Sequence, residues 1–237
     1  MHSKDRGFDS NHLLAEMTVI NEKLKIFNPG INLLGSKSEH AHTFKIYDLQ
    51  PISVKTKIFE GFQTYSNILT SSIEYAQNHN REKSLVWGAL RSLKLRFDDH
   101  LFERLLDDDI IEIYRSDNLQ VFRNLKFHEV CSFHFPELFI KQWPELFNRD
   151  SFITNQILSA AQAAFQNSDL EPISTQHIPE HDLVEISSPE GLKMKMKLKT
   201  LYPLSDASGK IAYILAVSRV KLKDRRKQID YSNVYTI

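Results

Sequence analysis

Three features of the chain predict an α+β fold. Apolar residues recur at helical spacing through roughly the first 105 positions, the spacing turns alternating at Ile110, and three alternating segments follow His181.

Leu13, Leu14, Met17, Ile20, Leu24 and Phe27 fall at three- and four-residue steps, on one side of a helix over residues 11–27. Asn28-Pro29-Gly30 ends it, and the stripe marks a docking or dimer helix. Residues 31–50 are mixed, with a short extended piece expected over Thr43–Tyr47. From Val54 to Gln77 a second stripe runs through Ile58, Phe62, Tyr65, Leu69, Ile73 and Ala76, and Asn78-His79-Asn80 breaks it. Arg81–Phe97 repeats the pattern with Val86, Leu90, Leu93 and Phe97, predicting a helical hairpin or one helix broken in the middle. Asp98-Asp99 caps a short helix through Leu105. The run Asp107–Asp109 reads as a cap or linker, because consecutive side chains diverge.

At Ile110 the pattern becomes that of a strand, Ser116-Asp117-Asn118 supplies a turn, and Gln120–Arg123 returns. Two short helices are expected around Pro136 and Pro144. Phe152–Phe165 carries no charge and sets Ile153, Ile157, Ala161, Ala164 and Phe165 along one side, which suits a helix pressed on a sheet. A polar connection over 166–180 leads to three strands. They are Asp182–Ser187, Leu192–Leu201 after a Ser188-Pro189-Glu190-Gly191 turn, and Lys210–Val220 after Asp206–Gly209. In the middle strand Lys193, Lys195, Lys197 and Lys199 alternate with Met194, Met196, Leu198 and Thr200, so one face is wet. The last strand is apolar on both sides and needs a cover, either an N-terminal helix or a second protomer.

Composition narrows the function. Thirty basic against thirty acidic residues give no global field toward nucleic acid or an anionic membrane. One cysteine excludes an internal disulfide framework and a thiolate zinc site, and fits a reducing cytoplasm. The charged N-terminus lacks a signal-peptide core, and no apolar run nears the ~20 residues of a membrane span. Seven scattered glycines form no phosphate-binding loop, and no catalytic triad, Cys–His pair or paired-carboxylate motif appears, so no enzyme is expected.

The order of elements over 106–222 resembles a PAS domain, on Asn124, Phe127, Val130-Cys131, Phe133, Glu137-Leu138, Trp143, Glu145-Leu146-Phe147 and Asp150, then Glu190-Gly191, Asp206–Lys210 and Ile211–Val217. Ser132 and Ile140 stand where the family often has glycine, Asn148-Arg149 replaces His-Pro, and Val220-Lys221-Leu222 lacks the aspartate of the family's terminal hinge. The resemblance covers about half the chain. It implies a five-stranded antiparallel sheet with helices packed on one face, after an N-terminal helix and linker (1–50) and a helical hairpin region (51–105), and before a tail (223–237). It further implies a ligand site between sheet and helices, lined by Ile113, Phe122, Cys131, Phe133, Trp143, Ile157, Ala161, Val184, Met196 and Leu215.

The family's flavin-reactive cysteine motif would fall near Ile140-Lys141-Gln142, so Cys131 reads as a core thiol and flavin is not expected. No histidine lies between Phe135 and Gln176, where family haem ligands sit, so His128 reads as a surface residue, His134 as a cap, and haem is not expected either. His177 and His181 with Glu180 or Asp182 lack a third ligand fixed by spacing. The lysine row and the basic tail Lys221, Lys223, Arg225, Arg226 and Lys227 read as solvated surface, leaving no metal and no nucleic-acid partner expected. By resemblance, the expected function is cytoplasmic sensing: a small ligand or partner is bound, a homodimer forms, and a separate output protein is addressed. The alternative is a dimerising adaptor with an occluded core.

Overall fold

The computed structural model describes residues 9–36, 40–76, 81–117, 119–141, 143–186, 188 and 190–223. The break at Asn78-His79-Asn80, Asn118 of the first turn, Gln142, Ser187, Pro189 and the tail beyond Lys223 lie outside them.

Helix α1 (Ser10–Phe27) starts where the Asp9 carboxylate accepts the His12 N–H, and buries Leu13, Met17, Ile20, Leu24 and Phe27. Five such side chains contribute about 10 kcal/mol of gross apolar burial, before the entropy of ordering them. Residues Ala41–Asp48 form helix α2 rather than the expected extended piece. Thr43 and Tyr47, four apart, are both buried, a helical spacing too short to be read over eight residues.

Helices α3 (Ile52–Ala76) and α4 (Arg81–Ser92) make the expected hairpin. Gly88 permits their approach: a Cβ there would stand 1.9 Å from Ser72 Oγ and 2.9 Å from Ser72 Cα. Helix α4 stops short of Phe97 because Lys94 takes a left-handed φ of 53°. Arg96 then exchanges backbone hydrogen bonds with Ser205. Helix α5 (Leu101–Arg104) closes the helical half.

The sheet strands are β1 (Ile110–Arg115), β2 (Gln120–Arg123), β3 (Phe147–Asn148), β4 (Ile173–Ser174), β5 (His181–Glu185), β6 (Lys193–Ser205) and β7 (Ile211–Leu222). They form a curled antiparallel sheet of order β2-β1-β7-β6-β5-β3, with β4 also paired to β6. The expected five strands gain the two-residue segments β3 and β4. Three short helices, α6 (Leu125–Val130), α7 (Phe135–Ile140) and α8 (Trp143–Leu146), replace the expected two. Helix α9 (Ser151–Gln166) begins at Asp150, whose carboxylate accepts the Ile153 N–H.

Both faces of the sheet are covered, where helices on one face were expected. Ile111, Ile113, Phe122, Leu215 and Val217 share one core with α1, α3 and α4. Ile214, Ala216, Leu198 and Leu201 pack against α9. The doubly apolar β7 is thus covered by the chain's own N-terminal helices. A bulge between Leu198 and Thr200 lets Leu201 rejoin the face of Leu198.

Candidate functional site

The expected pocket residues are divided among three cores. Ile113, Phe122 and Leu215 are cross-strand neighbours on the face covered by the N-terminal helices, away from α9. Cys131, Phe133 and Met196 lie in a second core, built around α6, α7 and β5. Ile157 and Ala161 edge the core beneath α9, and Trp143 is half-buried. Val184 alternates with the inward Leu183 and pairs with Lys193, so it belongs to the outer face. The structure therefore brings Cys131, Phe133 and Met196 together and leaves the other seven elsewhere.

What the face opposite the N-terminal helices does carry is a polar cluster. Glu112 on β1 pairs with Arg123 on β2, and both are buried. Gln120 bridges them, donating to Glu112 Oε1 and accepting from Arg123 Nη2. Tyr114 Oη donates to the same Glu112 oxygen at 3.0 Å. Burial pushes the Glu112 carboxyl above its ordinary range, against the pull of Arg123, Tyr114 and Gln120. Arg123 also donates to Leu138 O at 3.0 Å, and its guanidinium lies 5.4 Å from the ring centroids of both Phe127 and Phe139.

Arg149 adds a second guanidinium. It leaves the chain between β3 and the α9 cap, lies 4.3 Å from the Trp143 ring centroid, and reaches Met196 Sδ at 3.4 Å. Its Nε and Nη1 are buried and have no hydrogen-bond partner among the described residues. Burial pulls its pKa down to about 10, offset in part by Tyr114 and Glu112. His181, opposite Met196 on β5, is buried, and burial holds its imidazole below its ordinary range.

Cys131 is a buried thiol pushed well up by burial, with Glu185 and Glu112 adding to the effect. It remains protonated, which removes thiolate nucleophilicity. His128, expected on a helix surface, is buried instead and lies 3.2 Å from Tyr65 Oη. Because that hydroxyl donates to Arg123 O, His128 Nε2 must be the donor to Tyr65. His134 does cap α7: Glu137 Oε2 accepts its backbone N–H at 3.1 Å.

The lysine row forms an outer sheet face with Arg219 and Lys221 of β7 and with Lys223 just beyond it. Asp182, Glu180 and Asp109 supply counter-charges. A groove of about 400 Å³ runs beside α9, lined by Phe152, Asn155, Gln156, Ser159 and His177 among others. Among the described residues, His177 and His181 join no metal-type cluster. Among the described residues, His40, His134 and Glu137 are the set of three such groups that converges.

Sequence reasoning missed Glu112, Tyr114, Gln120, Arg123 and Arg149. Glu112 and Tyr114 alternate with isoleucines, which reads as a solvent face until α9 is known to cover it. Arg149 carried a signal, a charge where the resembled family has an imino acid. Compared with known proteins, the chain matches no family model and no curated sequence.

Proposed function

We propose that this chain is a non-catalytic sensory protein that binds a small carboxylate or comparable anion beside Arg149, between the sheet and helices α8 and α9. The observation that carries the reading is the Arg149 guanidinium, whose Nε and Nη1 are buried and have no hydrogen-bond partner among the described residues. A guanidinium does not lose its proton, and withdrawing two of its nitrogens from water with only a weak thioether acceptor on the third is costly. Two cations, Arg123 and Arg149, face one carboxyl, Glu112, that burial biases toward neutrality. A monoanion accepting charge-assisted N–H bonds from Arg149 offsets that excess. Arg149 directly precedes the Asp150 cap, so an anion drawn to it acts on the start of α9. The sensory part of the reading rests on the resemblance of residues 106–222 to PAS domains.

The test is native mass spectrometry of the purified chain, with thermal shifts in acetate, propionate, lactate and inorganic phosphate. A mass excess lost on denaturation, or a saturable stabilisation abolished by Arg149→Met, is expected. Absence of both, or a stabilisation that survives Arg149→Met, overturns the reading.

A second reading, a dimerising adaptor, is favoured by Phe152 and Leu158 on α9, which are 67% and 50% exposed. Sedimentation of wild type against Phe152→Ser tests it. A dimer that dissociates in the variant supports the adaptor, and a monomeric wild type removes it.

A further inference from the structure

The loop before α2 and the start of α7 meet around Gly35. His40, 2% exposed, stands just before α2, and its Nδ1 lies 2.9 Å from Glu137 Oε1. Its Nε2 is buried and has no hydrogen-bond partner among the described residues. That nitrogen faces the backbone of Gly35: a Cβ at that position would lie 2.2 Å from it and 2.8 Å from His134 Nδ1. The two imidazoles stand edge to face, with centroids 5.0 Å apart. One ligand-type atom from each of His40, His134 and Glu137 lies within 4.8 Å of the others.

We propose that His40, His134 and Glu137 bind a zinc-class divalent cation. Two imidazoles and a carboxylate form a borderline donor set suited to Zn²⁺, with a fourth position for water. Tetrahedral zinc needs ligand atoms about 3.4 Å apart, so binding draws the three groups closer than the 4.8 Å within which they now lie. The ligands come from two parts of the chain, since His40 belongs to the helical half and the other two open α7. Bound metal therefore pins the N-terminal helices to the sheet region. Gly35, at φ +60°, lets the two imidazoles approach each other across the loop, because any side chain there would strike His40 and His134.

The full chain, stripped by chelator and dialysed, is titrated with Zn²⁺ by calorimetry and with Co²⁺ by absorbance. One equivalent should bind, Co²⁺ should show the visible bands of tetrahedral N/O ligation, and thermal stability should rise. His134→Asn and Glu137→Gln should each weaken binding by at least about tenfold, with circular dichroism showing that they fold. Should either variant misfold, side-chain nitrogen NMR of the wild type decides: Zn²⁺ should shift His40 and His134. No saturable single equivalent, undiminished affinity in folded variants, or shifts confined to other histidines would overturn the assignment.

Discussion

Lys199 and Asp109, ninety positions apart, meet at the base of the sheet, with the ammonium 2.7 and 2.8 Å from the two oxygens of a fully buried carboxylate. Arg219 stands 3.6 Å away, and the Leu106 N–H donates to Asp109 at 3.0 Å. The third residue of an acidic run is thus an anchor that fixes the start of β1 to β6 and β7.

Asp109→Ala should lower stability by about 2 kcal/mol, below the cost of breaking a wholly buried pair because Lys199 still reaches water. Urea denaturation checks it. The midpoint should fall while the slope stays unchanged.

Gly88→Ala should destabilise, although alanine is the better helix former by about 1 kcal/mol. The added methyl meets the Ser72 backbone at 2.9 Å, and overpacking of a rigid neighbour costs about 1–3 kcal/mol. A higher melting temperature for G88A would show that α3 and α4 separate freely.

Two buried groups set opposing pH slopes. Burial, with Glu129 nearby, pushes Glu82 up to about 7 from 4.5, while backbone groups of Lys126 and Leu125 hold it down. The native state keeps a proton there that the unfolded chain releases, so its stabilisation is complete below pH 4.5 and lost as pH rises through 7. Burial, with Arg123 adding to it, holds His128 down to about 3 from 6.5, so its stabilisation is complete above 6.5 and lost as pH falls toward 3. Between 4.5 and 6.5 the two cancel. Glu82→Gln should leave the His128 slope alone there, about 1.4 kcal/mol lost per unit of falling pH, and should raise stability at pH 8 by roughly 2 kcal/mol. Urea curves at several pH values provide the check.

Arg149→Met, in protein freed of small anions, should unfold at a higher urea concentration than wild type. An apolar replacement for an uncompensated buried charge gains about 1–4 kcal/mol. A less stable variant would mean that stacking on Trp143 outweighs the burial of charge.

The sequence revealed elements whose period is long enough to read: α1, α3 and α9, and the alternation of β6 and β7. It hid what depends on partners distant in the chain. Helix α2 shows two buried positions, too few to separate helix from strand. Strands β3 and β4, two residues each, exist only through pairing with β5 and β6. Ile113 and Leu215 were legible as buried, but which helices covered them was not, because an apolar residue carries no label for its face. The polar cluster was the least legible part: Glu112 and Arg123 are ordinary surface types until α6 and α7 close over them.

The position of β7 bears on how the protein is made. It is the last described strand, yet it sits between β1 and β6 and holds both faces of the sheet together. During synthesis the N-terminal helices leave the ribosome before β7, and the part of their core that Leu215 and Val217 complete stays open until β7 has emerged. Nascent chains halted before Ile211 should therefore recruit holdase chaperones, and release should follow once Leu215 can reach Ile113.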